Sequence, residues 1–549
     1  MADSEQSPSQ GPEWDEVARF LRSPGAFATA RPLQVIETHI SLVFLGDELV
    51  YKLKKPVRFD FLDFSTVELR RQACAEELRL NQRLAAGVYL GVVPVTVDPQ
   101  GRLAVDGAGC PVEWMVKMRR LPQERMLDSL IEGRRAQPVD TTELASLLVR
   151  FYRNQSPVSI SATDLTERMS KHIRANMSEL LRPEHHLPEA LVKRIHSRQL
   201  QFANFESDLF DSRIHGHHVI DGHGDLRPEH VCLEHPPVIF DCIEFNAEFR
   251  QLDVVDELCF LAMECERLHA KTLGDVLIAA YAKATGDTPE PRLLNFYKSY
   301  RACVRAKVAV LKATQDKATG TGSAGLARSY LELAYRDLGP ASRQLCIIVR
   351  GLSGSGKSTI ATSLSELLGL EIIQSDRVRG TLGEEWGPPV QAGLDYGSGR
   401  YSAAQRRDVY QRMFDLASAH MADGLSVVLD ACFLRQGLQR HVHKLAQSIG
   451  VPLVIVNCHC PDAVAHDRVI ARSREPGCLS EVLPEHLCDQ KHDDEGTISD
   501  VPAMSIDTSV GAPSSHTLAI VRYLGQTLKP IPAPWRPRER EAPNISKLA

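Results

Sequence analysis

No stretch of this chain approaches the ~20 consecutive apolar residues a membrane helix needs, so no membrane-spanning segment is expected. Cysteine is scattered. There are 13, an odd number, without a C-x-x-C pair, which argues against a disulfide framework or a zinc ribbon and for reduced thiols in a cytoplasmic protein. The tightest group, Cys458-His459-Cys460, ends an apolar run and reads as small buried residues at a strand end rather than a metal site. Neither charge dominates: 64 Lys and Arg against 70 Asp and Glu leave a formal net charge of -6. That excludes a global pull toward nucleic acid or anionic lipid. The opening residues, Met-Ala-Asp-Ser-Glu-Gln, are polar and acidic, unlike a signal peptide. No internal repeat is visible.

What is present is length and a change of texture. A chain of 549 residues is too long for one core. Residues 1–12 read as a disordered leader. Residues 13–335 read as one domain: short strand-like runs (40–44, 49–53, 92–97, 113–118) around a helical stretch at 67–84, then mostly helical periodicity with a strand-like interlude at 219–245. A linker is expected at 336–343. From 344 to 526, strand candidates (345–350, 371–374, 425–430, 452–458) alternate with helices, the pattern of a parallel α/β sheet. The end, 527–549, carries Pro530, Pro532, Pro534 and Pro537 and reads as a flexible tail.

Residues Gly351-Leu352-Ser353-Gly354-Ser355-Gly356-Lys357-Ser358 fill G-x-x-x-x-G-K-[ST] between an apolar run and an amphipathic one opening at Thr359. The glycines let successive N–H groups curl toward phosphate oxygens, and the following helix adds its dipole. Lys357 is expected on the β- and γ-phosphates of ATP and Ser358 on Mg²⁺. The next strand candidates deliver Asp376 and Asp430 to the carboxyl edge of the sheet, where such sheets bind ligands. Asp430 is placed as a Mg²⁺ ligand, Asp376 to accept the proton of an acceptor hydroxyl, and Arg379 to grip an anionic group or serve as a surface charge. Arg468 and Arg472, at i and i+4, suit a lid that neutralises the transferring phosphoryl group, or a solvated basic face. With Leu429-Asp430-Ala431-Cys432-Phe433 and Arg440, these residues resemble the AAA_33-type P-loop kinases, which are similar to gluconate kinase, zeta-toxin and the kinase half of polynucleotide kinase. No guanine-reading N-K-x-D motif stands in the expected place.

A second constellation lies upstream. His223-Gly224-Asp225 is followed, after an apolar run, by Asp241. Two aspartates on adjacent loops suit phosphoryl transfer, one toward a hydroxyl proton and one toward Mg²⁺. Lys52 sits on a strand candidate ahead of a helix bearing Glu76 and Glu77, the way protein kinases hold phosphates. With the hinge-like Glu113-Trp114-Met115-Val116-Lys117-Met118, residues from about 36 to 310 resemble the aminoglycoside phosphotransferase family, itself similar to the protein kinases. The resemblance implies Lys52 on phosphate, Glu77 (or Glu76) as its partner, Asp225 as catalytic base, Asp241 on Mg²⁺, and Val116 and Met118 at the nucleotide. It also implies a metal ligand where this chain has His230 instead of the family's Asn, and imidazole suits a hard cation poorly.

The expected architecture is an α+β protein-kinase-like N-terminal domain followed by an α/β P-loop NTPase domain with a parallel sheet. The expected function is ATP- and Mg²⁺-dependent transfer of phosphate to a small hydroxylated metabolite, not to a long nucleic acid. Two alternatives stay open: an N-terminal pseudokinase beside a catalytic P-loop domain, and a non-catalytic ATP-dependent switch.

Overall fold

The computed structural model describes residues 12–27, 33–59, 62–315, 320–338, 344–386, 402–474 and 482–528. The leader, most of the linker and most of the tail anticipated from the sequence lie outside them. The chain divides into two compact units, Met1–Ile195 with Ser207–Gly339, and His196–Glu206 with Pro340–Ala549.

The first unit opens with helix α1 (Trp14–Leu21) and strands β1 (Gln34–Glu37), β2 (Ser41–Leu45) and β3 (Leu49–Lys54). A small hairpin, β4 (Arg58–Phe59) and β5 (Leu62–Asp63), leads to α2 (Val67–Asn81), then β6 (Tyr89–Val97), β7 (Leu103–Val105) and β8 (Cys110–Arg119). The six-stranded sheet has the order β1-β2-β3-β8-β6-β7. Thr66 caps α2 by accepting the Leu69 N–H. Cys74 from α2 packs with Val50, Val116 and Met118 in one apolar cluster. In the register of β3 and β8, Lys52 pairs with Val116 and Val50 with Met118.

Helices follow: α3 (Leu127–Glu132), α4 (Pro138–Arg153), α5 (Ala162–Leu180), α6 (Glu189–Phe205) and α7 (Ser207–His215). Two short hairpins carry the loops of interest. Strand β9 (Val219–Asp221) pairs with β12 (Gln251–Asp253), and β10 (Val231–Cys232) with β11 (Val238–Ile239). The unit closes with α8 (Val254–Arg267), α9 (Lys271–Thr285), α10 (Pro291–Gln315) and α11 (Gly320–Leu338). Helix α8 is buried through most of its circumference, as a core helix must be when helices surround it. Its Phe260 and Met263 meet Ala302, Ala306 and Tyr330 of α10 and α11.

The second unit is a P-loop fold. Its elements are β13 (Cys346–Arg350), α12 (Lys357–Leu368), β14 (Glu371–Gln374), α13 (Ser375–Trp386), α14 (Ala403–Ala422), β15 (Val427–Asp430), α15 (Gln436–Ile449), β16 (Leu453–His459), α16 (Asp462–Ser473), α17 (His486–His492), β17 (Ala503–Asp507) and α18 (Pro513–Thr527). All five strands are parallel, in the order β14-β15-β13-β16-β17. Strand β13 is fully buried, and its alternation divides two layers. Cys346 and Ile348 face Met413, Ala417 and Val442 of α14 and α15. Ile347 and Val349 face Ile360 and Leu364 of α12 and Ile520 and Leu524 of α18. Each such buried aliphatic side chain contributes ~1.5–3 kcal/mol.

The second half of α6 belongs to this unit. Gln201 donates to the Ser426 hydroxyl at 3.1 Å, Ser197 to the Leu368 carbonyl at 3.3 Å and Asn204 to the Leu367 carbonyl at 3.2 Å. Phe205 packs against the α12 and α18 cluster. This eleven-residue segment lies far upstream of the P-loop, out of reach of a boundary drawn along the chain.

Candidate functional sites

In the first unit, β3 sends Lys52 and Lys54 to one face, because they are two residues apart on a strand. Lys52 Nζ lies 2.9 Å from Glu77 Oε1 and 2.6 Å from Asp241 Oδ1. Lys54 Nζ lies 2.6 Å from Glu77 Oε2 and also pairs with Glu244. Five charges of alternating sign thus run Asp241–Lys52–Glu77–Lys54–Glu244. Burial works against the Lys52 ammonium, but Asp241, Glu77 and Glu244 outweigh it and hold its pKa well above the ordinary value. Burial opposes the Glu77 carboxylate too, and the two lysines keep its pKa lowered. Glu76, the other candidate partner, instead pairs with Arg79 at 2.6 Å on the outer face of α2.

Asp225 sits on the loop after β9. Helix α8 fixes that loop, since Glu257 accepts the His223 and Gly224 N–H groups at 2.6 and 2.7 Å. The His223 ring bonds the Phe240 carbonyl at 2.8 Å, tying the loop to the one bearing Asp241. Arg227 Nε donates to Asp225 Oδ1 at 2.9 Å. Burial raises the Asp225 carboxyl, but Arg227, His230 and Arg305 pull it well below the usual carboxylate range. Asp241 adopts φ 62, in the left-handed region. Its N–H reaches the Tyr89 hydroxyl at 3.2 Å. Burial opposes its charge as well, and Lys52 and His230 drive its pKa far down.

His230 lies between the two aspartates, with Nδ1 3.5 Å from Asp225 Oδ2 and Nε2 3.4 Å from Asp241 Oδ2. Both ring nitrogens are already engaged. Nδ1 donates to the Asp225 carbonyl at 2.9 Å, and Nε2 accepts from Arg227 Nη2 at 3.1 Å. His230 thus stands as a spacer between the two carboxylates, at the position where the resemblance implies a metal ligand. Val116 and Met118, expected at the nucleotide, lie on β8. Strand β8 continues to Arg119, so both sit inside the strand, with buried side chains in the apolar cluster rather than in an open hinge.

In the second unit, Gly351, Gly354 and Gly356 have φ of 143, 76 and 79°, and Lys357 begins α12. Lys357 Nζ rests 3.2 Å from the Leu352 carbonyl inside the loop. Burial lowers its pKa and nearby Cys432, Asp430 and Asp376 raise it, with a net rise. Asp430 ends β15, almost fully buried, with Gln374 Nε2 3.1 Å from Oδ2 and the Ser358 hydroxyl bonded to it. Burial leaves its carboxyl raised despite Lys357. Asp376 opens α13 and pairs with Arg379 at 2.5 Å. Leu352, Ser353, Ser355 and Ser358 complete the loop, and Thr359 is exposed on the first turn of α12.

The two arginines of α16 separate. Arg468 donates to the Gly354 carbonyl at 3.3 Å, the Thr508 hydroxyl at 2.9 Å and the Thr508 carbonyl at 2.8 Å. Thr508 in turn donates to the Ser355 carbonyl at 2.9 Å. Arg468 therefore braces the outer side of the loop. Arg472 acts electrostatically on Lys357. Gln490 braces the loop from another side, accepting the Ser353 N–H at 2.9 Å. Thr508 and Gln490 carry no local signal, because they reach the loop from more than 130 residues downstream. Lys54 and Glu244 did carry one, since each follows an anticipated residue at a spacing that keeps it near the site.

Oxygen donors fit magnesium in both units: Ser358 and Asp430 in one, Asp241 in the other. Among the described residues no group of three or more His, Cys, Asp or Glu side chains forms a metal-holding array. Nor, among them, is any helix long and apolar enough to cross a membrane.

Residues 346–493 match the family model described as AAA domain (AAA_33). The uncharacterized protein Rv2004c of Mycobacterium tuberculosis is 35% identical over 452 residues, covering 80% of this chain and 86% of that one. The uncharacterized protein Mb2027c of Mycobacterium bovis gives the same figures. Among solved structures, a choline/ethanolamine kinase family protein from Mesorhizobium loti is 16% identical, covering 59% of this chain and 98% of that one, with a TM-score of 0.34. A sugar kinase from Janibacter is 19% identical, covering 34% and 95%, with a TM-score of 0.25.

Proposed function

The chain belongs to the family of the mycobacterial proteins Rv2004c and Mb2027c, and we propose that it is an ATP-dependent phosphotransferase with two nucleotide sites, each passing the γ-phosphate to a hydroxyl of a small molecule. The observation that carries the reading for the first unit is one lysine, Lys52, held between the α2 carboxylate Glu77 and the loop carboxylate Asp241. For the second unit it is the glycine-rich loop closed by Lys357 beside Asp430 and Asp376.

In the first unit, Lys52 neutralises phosphate charge and Glu77 keeps it aimed. An acceptor hydroxyl oxygen forms a bond to the γ-phosphorus as the bond from that phosphorus to the ADP oxygen breaks. The hydroxyl proton passes to the Asp225 carboxylate. In the second unit, Lys357 and the loop N–H groups cradle the phosphates, Asp376 receives the acceptor proton, and Arg472 offsets charge on the moving phosphoryl group. Asp241 in the first unit, and Ser358 and Asp430 in the second, would hold a magnesium ion, which would supply charge neutralisation to the phosphates.

The test is γ-phosphate transfer to a panel of hydroxylated metabolites by the full chain and its Asp225→Asn, Asp376→Asn and Lys357→Ala variants. Asp225→Asn is expected to remove one product and Asp376→Asn another, each by ~10²–10⁴-fold. Unchanged products in Asp225→Asn would reduce the first unit to a nucleotide-binding module, the reading that His230 in place of the family's Asn favours. No transfer to any acceptor would overturn the proposal.

A further inference from the structure

The loop that carries Asp225 ends in a single 3₁₀ turn, Pro228–His230, with Arg227 at its N-cap. The His230 N–H donates to the Arg227 carbonyl at 3.0 Å and closes the turn. Side chains three residues apart eclipse in such a turn, so those of Arg227 and His230 lie together. The imidazole is buried, with ring centroids 5.8 Å from Phe240 and 6.2 Å from His223. It leaves the site only by giving up that packing.

The two ring nitrogens have fixed roles. Nδ1 lies 2.9 Å from the Asp225 carbonyl oxygen, which only accepts, so Nδ1 carries the proton. The lone pair is therefore on Nε2. Arg227 Nη2 stands 3.1 Å from it, and a guanidinium only donates. The same side chain donates through Nε to Asp225 Oδ1 at 2.9 Å and through Nη1 to Glu229 Oε1 at 3.3 Å. All three guanidinium nitrogens are spent inside this one loop.

Protein kinases hold a second Mg²⁺ on the Asn that follows the catalytic Asp of this loop. Here that position offers one imidazole nitrogen, a poor donor for a hard ion, and a guanidinium already stands on it. A metal takes Nε2 only by displacing Arg227, which strips Asp225 and Glu229 of the partner they share. Such charge-assisted contacts are the strong ones. The other metal position differs. Asp241 gives Oδ1 to Lys52, while its side chain is 38% exposed and open to an ion.

We propose that the N-terminal site works with one metal ion, at Asp241, and that the Arg227 guanidinium fills the second metal position as a fixed cation. This rests on the phosphotransferase reading of the first unit. A cation built into the chain draws on no free metal, so the site saturates at one ion per nucleotide however high the metal concentration.

The experiment counts ions. The full chain with Lys357→Ala, which weakens the P-loop cradle, is saturated with a non-hydrolysable ATP analogue and titrated with Mn²⁺. Bound Mn²⁺ is read from the loss of the free-ion electron paramagnetic resonance signal, and bound nucleotide from calorimetry. The expected result is one Mn²⁺ per bound nucleotide. Residual nucleotide at the P-loop leaves that ratio unchanged, because a P-loop also holds one ion per nucleotide. Two ions at the first unit's nucleotide overturn the proposal and leave phosphotransfer standing. Adding His230→Asn alone is expected to keep the ratio at one, since Arg227 still covers the position. A second ion in that variant shows that the imidazole, not Arg227, excludes it, and overturns the role given to Arg227. Adding Arg227→Gln with His230→Asn uncovers an oxygen donor and is expected to admit the second ion. A ratio that stays at one there, with nucleotide bound, also overturns the role of Arg227. Loss of all nucleotide binding on Lys357→Ala alone is a separate result: it removes the nucleotide from the first unit, and with it both the phosphotransferase reading and the one-ion site.

Discussion

Lys54 Nζ lies 2.6 Å from Glu77 Oε2, on the oxygen opposite the one that pairs with Lys52, and both Lys54 and Glu77 are completely buried. A strand lysine paired with a helix glutamate can separate when the helix swings. Here a second lysine on the same strand face holds the glutamate as well, and also ties down Glu244 on the loop that bears Asp241. Removing Lys54 leaves two buried carboxylates short of a partner. Lys54→Met is expected to lower unfolding free energy by ~3–5 kcal/mol, measured by denaturant unfolding. The paired Lys54→Met/Glu244→Leu variant recovers part of that loss, because the uncompensated Glu244 is gone too.

Much of this site was legible because the chemistry lies in contiguous motifs with a strand or helix beside them. Lys52 on a strand and Asp225 and Asp241 on neighbouring loops were marked out by the resemblance to the aminoglycoside phosphotransferase family. The choice between Glu77 and Glu76 was not, since adjacent helix positions differ by about a third of a turn and only packing tells which one turns inward. The role of Arg468 was hidden for another reason: its partner Thr508 lies beyond a half-exposed edge strand, β17, whose pattern is too weak to read.

The separation of the α16 arginines predicts different kinetic signatures. Arg468 touches the loop's own backbone, so Arg468→Ala is expected to loosen the cradle and raise the KM for ATP with a smaller change in kcat. Arg472 lies within electrostatic reach of Lys357, so Arg472→Ala is expected to lower kcat by ~10²–10³-fold with little change in KM. Steady-state kinetics of the P-loop site in an Asp225→Asn background separates the two. Equal effects of both substitutions on kcat alone would refute the division of roles.

Asp337, near the end of α11, offers a pH test away from both sites. Burial, with Glu266 adding to it, raises its carboxyl to about 6 against the pull of Lys298 and Arg336, and its Oδ2 is buried without a hydrogen bond. A carboxyl raised in the folded state contributes stability that is full below the ordinary carboxylate pKa of ~3.9 and is lost as pH rises through its folded value. Asp337→Asn removes that loss. The variant is expected to match the wild type below the ordinary carboxylate pKa, near pH ~3, and to exceed it by ~1–2 kcal/mol at pH 8, after allowance for partial solvent screening. Unfolding curves at the two pH values check this, and a gap independent of pH would contradict the assignment.

The glycines of the phosphate loop can be separated from ordinary glycines by what a methyl group would strike. At Gly354, φ is 76° and an added Cβ falls 2.4 Å from the Ala465 carbonyl oxygen, a backbone atom of α16 that cannot rotate away. The same carbonyl-side crowding holds Arg468 on the Gly354 oxygen. Gly354→Ala must therefore move either the loop or α16, and both movements take the N–H groups off the phosphates. It is expected to destabilise the second unit by ~2 kcal/mol or more and to abolish ATP binding at the P-loop. Gly437, in the first turn of α15, has an ordinary φ and nothing within 4 Å of an added Cβ. Gly437→Ala is expected to stabilise the same unit by ~0.4–1 kcal/mol with ATP binding intact. Calorimetric titration with ATP and thermal unfolding of the two variants give the comparison, and retained binding in Gly354→Ala would show that the loop has slack its packing does not suggest.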